Sequence, residues 1–228
     1  MKYNGVDICR VPMFPRGADG RSLALLLNYF SYSISAAAIG LLKLRSHNFD
    51  IIFVNQLSPF TVVIPGLVLK LFFRAPMVMW VLDLWPDTLQ AVGKVNAKFP
   101  LKILQRFVSY FYNRCAFVLA QSKTIKEKIN ENCKESIPVY YFPSRSEALF
   151  CNAAPEPIKE LSNSKGYFRV LFAGNIGEAQ DFPAILNAAA ILKDNNVKVH
   201  FFIVGDGRLA SWVRSEVVAR CLGDTVFL

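Results

Sequence analysis

Short apolar runs alternate along this chain with longer stretches in which apolar residues recur every three or four positions. Runs of the first kind read as buried parallel strands and stretches of the second kind as amphipathic helices. The pattern predicts strands at 6–11, 50–55, 77–82, 116–121 and 138–142. Between them it predicts a loop at 12–20 and a long helix from a Ser22 cap to Arg45. A second helix at 59–73 must be kinked or delayed by Pro65-Gly66. A third runs over 99–114, and a short charged one, capped by Ser122 or Thr124, ends near Asn132. Residues 143–166 hold Pro143, Pro155, Pro157 and Gly166 and read as a linker. The alternation then restarts with strand 168–173, helix 182–193, strand 198–204, helix 209–219 and strand 225–228. Strands and helices in this order predict an α/β protein with two Rossmann-like parallel-sheet units, 1–142 and 167–228, and no short internal repeat. The chain stops inside a strand, so the second unit is expected to be incomplete.

Charge divides the chain unevenly. Residues 1–150 hold 18 Lys and Arg against 9 Asp and Glu, and residues 151–228 hold 8 of each. A basic first unit suits an anionic partner, and nucleic acid and anionic lipid both fit by charge. The five cysteines are scattered and His47 and His200 are the only histidines, which argues against a zinc site or a disulfide framework and for a reducing cytosol. His200 lies in an apolar strand and is expected in the core. No signal peptide is visible. Residues 23–42 carry no charge and are long enough to cross a bilayer, but Asn28, Ser31, Ser33 and Ser35 dilute them. A buried or membrane-apposed helix is the expected reading.

Three places could carry chemistry. The strand at 77–82 runs into Asp83-Leu84-Trp85-Pro86-Asp87, and ligands of α/β proteins collect where parallel strands end. The two carboxylates either cap the next helix or form a site. The second unit opens with a strand leading into Gly174-Asn175-Ile176-Gly177, and Gly205-Asp206-Gly207 follows the next strand. Each is a tight strand-to-helix turn or a phosphate cradle, and both fall at the same sheet edge. The helix at 99–114 sets Lys102, Arg106 and Arg114 beside Phe99, Phe107, Tyr110, Phe111 and Tyr112. It is a solvated basic face over a packed aromatic one, a membrane surface or an anion-binding surface. No recognised nucleic-acid motif accompanies the charge, so no nucleic-acid partner is expected. No hydrolase triad is apparent.

Taken in order, these segments resemble glycosyltransferase family 4, of the GT-B type, in its fucosaminyltransferase-like branch of bacterial surface-polysaccharide synthesis. The resemblance rests on Trp80 to Leu89, Gln121–Lys123, Tyr141–Pro143, Phe172–Gln180 and Val204–Gly207. It implies a retaining hexosyl- or N-acetylaminosugar-transferase, with no metal and no cofactor, the nucleotide-sugar being a substrate. The donor would lie on the second unit, with Gly174, Asn175, Gly177 and Gln180 along its diphosphate and Gly205 and Asp206 near the nucleotide. The acceptor, a polyprenyl-diphosphate-linked saccharide such as one on undecaprenyl diphosphate, would lie on the first. Asp83 would be the catalytic-region residue, and Trp85, Asp87, Lys102 and Arg106 would face acceptor and membrane. The pathway would be lipopolysaccharide O-antigen, capsule or exopolysaccharide synthesis, on the inner face of the cytoplasmic membrane.

The sequence departs from the family in three ways. Leu82 stands where many members carry His. Asn175 and Gln180 stand where many carry Arg and Lys in the diphosphate loop, as is common in this branch. A glycine-rich loop before Met1 and a Glu-x7-Glu segment after Leu228 are missing, so the chain is expected to be truncated at both ends and to bind donor weakly. The alternative is a non-catalytic remnant or membrane-associated interaction protein.

Overall fold

A computed structural model describes residues 1–15, 22–91, 97–145, 164 and 166–228. The predicted linker therefore lies largely outside the described residues, as do Gly93 and the Ser22 side chain. The chain divides into two compact units, Met1–Arg145 and Ser146–Leu228.

The first unit opens with a hairpin, β1 Lys2–Tyr3 and β2 Val6–Asp7. The strand expected at 6–11 thus ends at Asp7. Asn4 and Gly5 have φ values of 46° and 82°, the left-handed pair that closes a two-residue hairpin turn. Then follow α1 Ser22–Leu44, β3 Ile52–Gln56, a 3₁₀ turn Phe60–Val62, α2 Val63–Phe73, β4 Met77–Val81, α3 Asp87–Ala91, α4 Lys98–Tyr112, β5 Phe117–Ala120, α5 Lys123–Asn132 and β6 Val139–Tyr141. Pro65 and Gly66 do not break α2. Pro65 is its third residue, where a backbone N–H has no helical partner to lose. Gly66 lets the helix settle against Val54 of β3, whose side chain a Cβ at that position would strike. Ser122 caps α5 by accepting from the Ile125 N–H at 3.1 Å.

Strands β3-β4-β5-β6 form one parallel sheet in chain order. Each crossover therefore steps the same way, and right-handed crossovers place α2, α4 and α5 on one face. The core lies there. Val54, Met77, Met79, Val81, Val118, Ala120 and Val139 meet Val63, Val108, Phe111, Tyr112 and Ile129. Alternate strand residues form the opposite face, with Phe53, Trp80, Phe117, Leu119 and Tyr140 among them, and none of the core-building helices lies on it. Phe53 and Tyr140 each remain 52% exposed.

The second unit repeats the plan with β7 Phe168–Ala173, α6 Phe182–Asp194, β8 Val199–Val204, α7 Ala210–Ala219 and β9 Val226–Phe227. Its strands pair in parallel in the order β7-β8-β9. Val199, Phe201, Ile203 and Val226 pack with Phe182, Leu186, Ala189, Val213 and Val217. His200 is buried, but on the face away from that core. Tyr167 stacks on its ring at 3.9 Å and Ser164 Oγ lies 2.9 Å from its Nδ1.

Three buried side-chain oxygens of the first unit, Gln56 Oε1, Thr61 Oγ1 and the Tyr112 hydroxyl, lack a hydrogen-bond partner among the described residues. Burial pushes the ionisation of Tyr112 well above the usual tyrosine range, with Cys133, Cys115 and Asp87 adding to the rise. A buried, unbonded hydroxyl costs about 1–3 kcal/mol of desolvation. Tyr112→Phe is therefore expected to leave stability unchanged or raise it by about 1 kcal/mol in urea unfolding. A loss of that size would show that the hydroxyl has a partner.

Candidate functional site

The first site is built where β3 and β4 end. Leu82 N–H donates to Gln56 O at 3.1 Å, holding the two strand ends together. Beyond this point the side chains join the segments. Ser58 Oγ–H donates to Asp83 Oδ2, and Trp85 Nε1–H donates to Ser58 Oγ at 2.9 Å. The Thr88 hydroxyl lies 2.8 Å from Asp83 Oδ1 and 2.7 Å from Leu84 O. Both oxygens of Asp83 are thus engaged by hydroxyls. Asp83 is not a helix cap, and it holds Ser58 and the Trp85 ring in place. Asp87 is the first residue of α3, exposed, where its charge suits the helix start.

Beside this knot lies a pocket of about 310 Å³ lined by Met13, Asn28, Tyr29, Tyr32, Asn55, Leu57, Ser58, Pro59 and Val62. It joins α1 to the end of β3. Polar residues of α1 fix its walls. Phe14 N–H donates to Ser31 Oγ at 2.9 Å, Asn28 Nδ2–H donates to Phe14 O, and the Ser33 hydroxyl reaches Thr61 O at 2.9 Å. Asn28, Ser31 and Ser33, three of the polar residues that dilute α1, are therefore anchors of its fold. By length and composition Leu23–Leu44 is still apolar enough to cross a membrane. Two tyrosines with Asn and Ser around a small cavity suit a polyhydroxyl ligand, which offers C–H faces to rings and hydroxyls to amides. Of the residues expected at this site, Trp85 and Asp83 border it through Ser58. Asn28, Tyr29, Tyr32 and Asn55 were not anticipated as a site. The only signal in the sequence was their polarity within apolar elements.

Lys102 and Arg106 lie apart, on the exposed face of α4. They flank a ridge of Phe99, Ile103 and Phe107, of which Phe99 is 75% and Ile103 52% exposed. Neither cation pairs with an acid among the described residues, and α4 itself contains no Asp or Glu.

The second site is the pair of loops after β7 and β8. Gly174 N–H donates to Val204 O, Ile176 N–H to Asp206 O and Leu209 N–H to Ile176 O, at 2.9, 2.9 and 3.0 Å. The loops are interlocked. A Cβ at Gly205, where φ is 143°, would run into the Gly174 carbonyl, and one at Gly207 into the Ile176 carbonyl. Gln180 Oε1 accepts from Gly177 N–H at 3.2 Å, Asp206 Oδ1 from Gly207 N–H at 2.7 Å, and Asp181 caps α6 through Ala184 N–H. The structure thus brings Gly174, Asn175, Gly177, Gln180, Gly205 and Asp206 to one rim. It also shows that several amides expected to cradle phosphate already have internal acceptors. Among the described residues no cluster of His, Cys, Asp and Glu is suited to a metal ion.

No family model and no curated protein matches the chain. Solved structures do. Anabaena Alr3699/HepE, in complex with UDP and glucose, aligns over 91% of this chain and 53% of its own length, with TM-score 0.63 and 15% identity. A glycosyltransferase from Rickettsia africae aligns over 85% of this chain and 50% of its own, with TM-score 0.55 and 12% identity. A putative UDP-N-acetylglucosamine 2-epimerase from Listeria monocytogenes aligns over 88% and 52%, with TM-score 0.56 and 13% identity. The chain thus spans about half the length of each. At these identities the likeness establishes the fold, α/β of the GT-B type with two Rossmann-like parallel-sheet units.

Gly205→Ala should destabilise the second unit by about 2 kcal/mol or more, because the backbone conformation and the Gly174 carbonyl both oppose a Cβ. Asp83→Ala should cost the first unit about 1–3 kcal/mol by leaving the Ser58 and Thr88 hydroxyls without their carboxylate. Denaturant unfolding followed by residue-resolved amide signals separates the two effects. A neutral Gly205→Ala would show that the loops are not interlocked.

Proposed function

We propose that this chain serves a retaining glycosyltransferase that moves a sugar from a nucleotide-sugar to a lipid-linked saccharide of bacterial surface-polysaccharide synthesis. The observation that carries the reading is the interlocked pair of glycine loops at the carboxyl ends of adjacent parallel strands, in a fold shared with a protein solved with UDP and glucose. The reaction would break the bond between the anomeric carbon and a phosphate oxygen. An acceptor hydroxyl would form the new glycosidic bond and release its proton, and the nucleoside diphosphate would depart. Groups that stabilise that diphosphate lower the barrier most, because charge builds there as the bond breaks. The tyrosine-lined pocket of the first unit suits the acceptor saccharide. Asp83 acts there as a positioning residue, since one oxygen accepts from Ser58 Oγ–H and the other shares the Thr88 hydroxyl proton with the Leu84 carbonyl.

The apolar and basic ridge of α4 supports an acceptor presented at an anionic membrane surface, with rings entering the headgroup region and Lys102 and Arg106 meeting lipid phosphates. A second reading, chemistry on the nucleotide-sugar itself, is favoured by the likeness to the Listeria protein.

Titration of the labelled chain with UDP, UDP-glucose and UDP-N-acetylglucosamine should shift amide signals of residues 174–181 and 205–209. No shift with any of them would sink the reading. Sugar transfer from one of these donors to lipid-linked saccharides should require the acceptor. Turnover of UDP-N-acetylglucosamine with no acceptor present would favour the second reading. The chain should also co-sediment with vesicles containing phosphatidylglycerol and much less with pure phosphatidylcholine. The double substitution Lys102→Gln, Arg106→Gln should remove most of that difference, and equal binding to both lipids would refute membrane docking through α4.

A further inference from the structure

We infer that Arg208 carries the charge of a bound nucleoside diphosphate in the second unit, a role the loop amides are not free to fill alone. The inference rests on the nucleotide-sugar reading and adds a residue to that site. Residues 174–181 and 205–209 contain three acids, Glu178, Asp181 and Asp206, and one cation, Arg208. The amides of Gly174, Ile176, Gly177, Gly207 and Leu209 donate within the protein. A dianionic ligand at this rim therefore meets an acidic loop pair about half of whose backbone N–H groups already have internal acceptors. Its binding needs a cationic side chain.

The topology leaves one such side chain among the described residues. All three strands run the same way, so the loops after β7 and β8 share one rim. Arg169 is the second residue of β7 and Lys198 immediately precedes β8, which places both at the opposite rim. Lys193 is held by Asp224 and the Cys221 carbonyl. Arg220, just past the far end of α7, is held by Glu216 and Asn187. Arg214 sits midway along α7. Arg208 is exposed, makes no ion pair or hydrogen bond among the described residues, and lies between Gly207 and Leu209. Leu209 donates to Ile176, and Gly207 sits against Ile176 O and within 2.8 Å, from a Cβ position, of Asn175 Oδ1. The interlock thus fixes the Arg208 backbone beside the Gly174–Gly177 turn. Its planar fork is suited to two phosphate oxygens at once.

The test is an amide-signal titration of the full chain with UDP and, separately, with uridine. Arg208→Gln should weaken UDP binding at least about ten-fold and leave uridine binding unchanged. Arg208→Glu should abolish UDP binding, and Arg214→Gln should change neither ligand. Because Arg208 is exposed and unpaired among the described residues, these variants should keep the parent amide spectrum. If Arg208→Gln binds UDP as tightly as the parent while residues 174–181 still shift, the assignment to Arg208 is wrong and the nucleotide reading stands. Equal losses for UDP and uridine would show a merely structural role and overturn the assignment. A parent chain that does not respond to UDP overturns both.

Discussion

The handedness of the crossover between parallel strands decides most of what this molecule looks like. A right-twisted strand followed by a helix returns to the sheet in one sense. When strand order equals chain order, as in β3-β4-β5-β6 and β7-β8-β9, every helix is delivered to the same face. Each unit thus builds a two-layer core, helices on one side of a sheet, and leaves the other side to strand residues alone. In the first unit that side carries Phe53, Trp80 and Tyr140, and Trp80 Nε1–H reaches over to the Phe142 carbonyl at 3.0 Å. In the second it carries Leu171, Val204 and the ring cluster around His200. The same constraint brings every strand end of a unit to one rim, and both candidate sites stand on such rims.

The two rims solve positioning differently. In the second unit the loops bond backbone to backbone, with glycines where a side chain would separate them. This makes a stiff frame and consumes donors, so recognition passes to whatever side chain the frame presents. In the first unit the strand ends are joined by side chains, with Ser58 between Asp83 and Trp85. A rim of that kind can be retuned by substitution without rebuilding the backbone.

The parallel strands were legible because they are short apolar runs with one face turned to the helices. Met77–Val81 and Phe168–Ala173 lie within a residue of where the apolar runs place them. The glycine loops were legible because a strand, two glycines and a helix leave few conformations open. The pocket was not, because it depends on α1 meeting the end of β3. No local pattern links Asn28 or Tyr32 to Asn55 and Ser58. The partners of Asp83 were hidden for the same reason, since Ser58 is 25 residues away. His200 reads as a core residue by pattern and is buried, but what covers it is Tyr167 and Ser164 rather than a helix. Its neighbour in sequence tells which residues are apolar, not which face the fold will cover.

Acids at a rim proposed for an anion need an explanation, and their hydrogen bonds supply one. At the second rim Asp206 accepts the Gly207 N–H and Asp181 the Ala184 N–H. At the first, Asp83 accepts from the Ser58 hydroxyl and shares that of Thr88 with the Leu84 carbonyl. In each case a donor faces the carboxylate and offsets part of its charge at short range. The repulsion such a group exerts on a ligand at the same rim is reduced accordingly, while its own geometry is fixed. These carboxylates are therefore tools of placement. The unneutralised charge at the second rim is left to Glu178, which lies in the turn before α6, and to Arg208. On the proposed reading, selection between an anionic ligand and a neutral one would fall on these two exposed side chains.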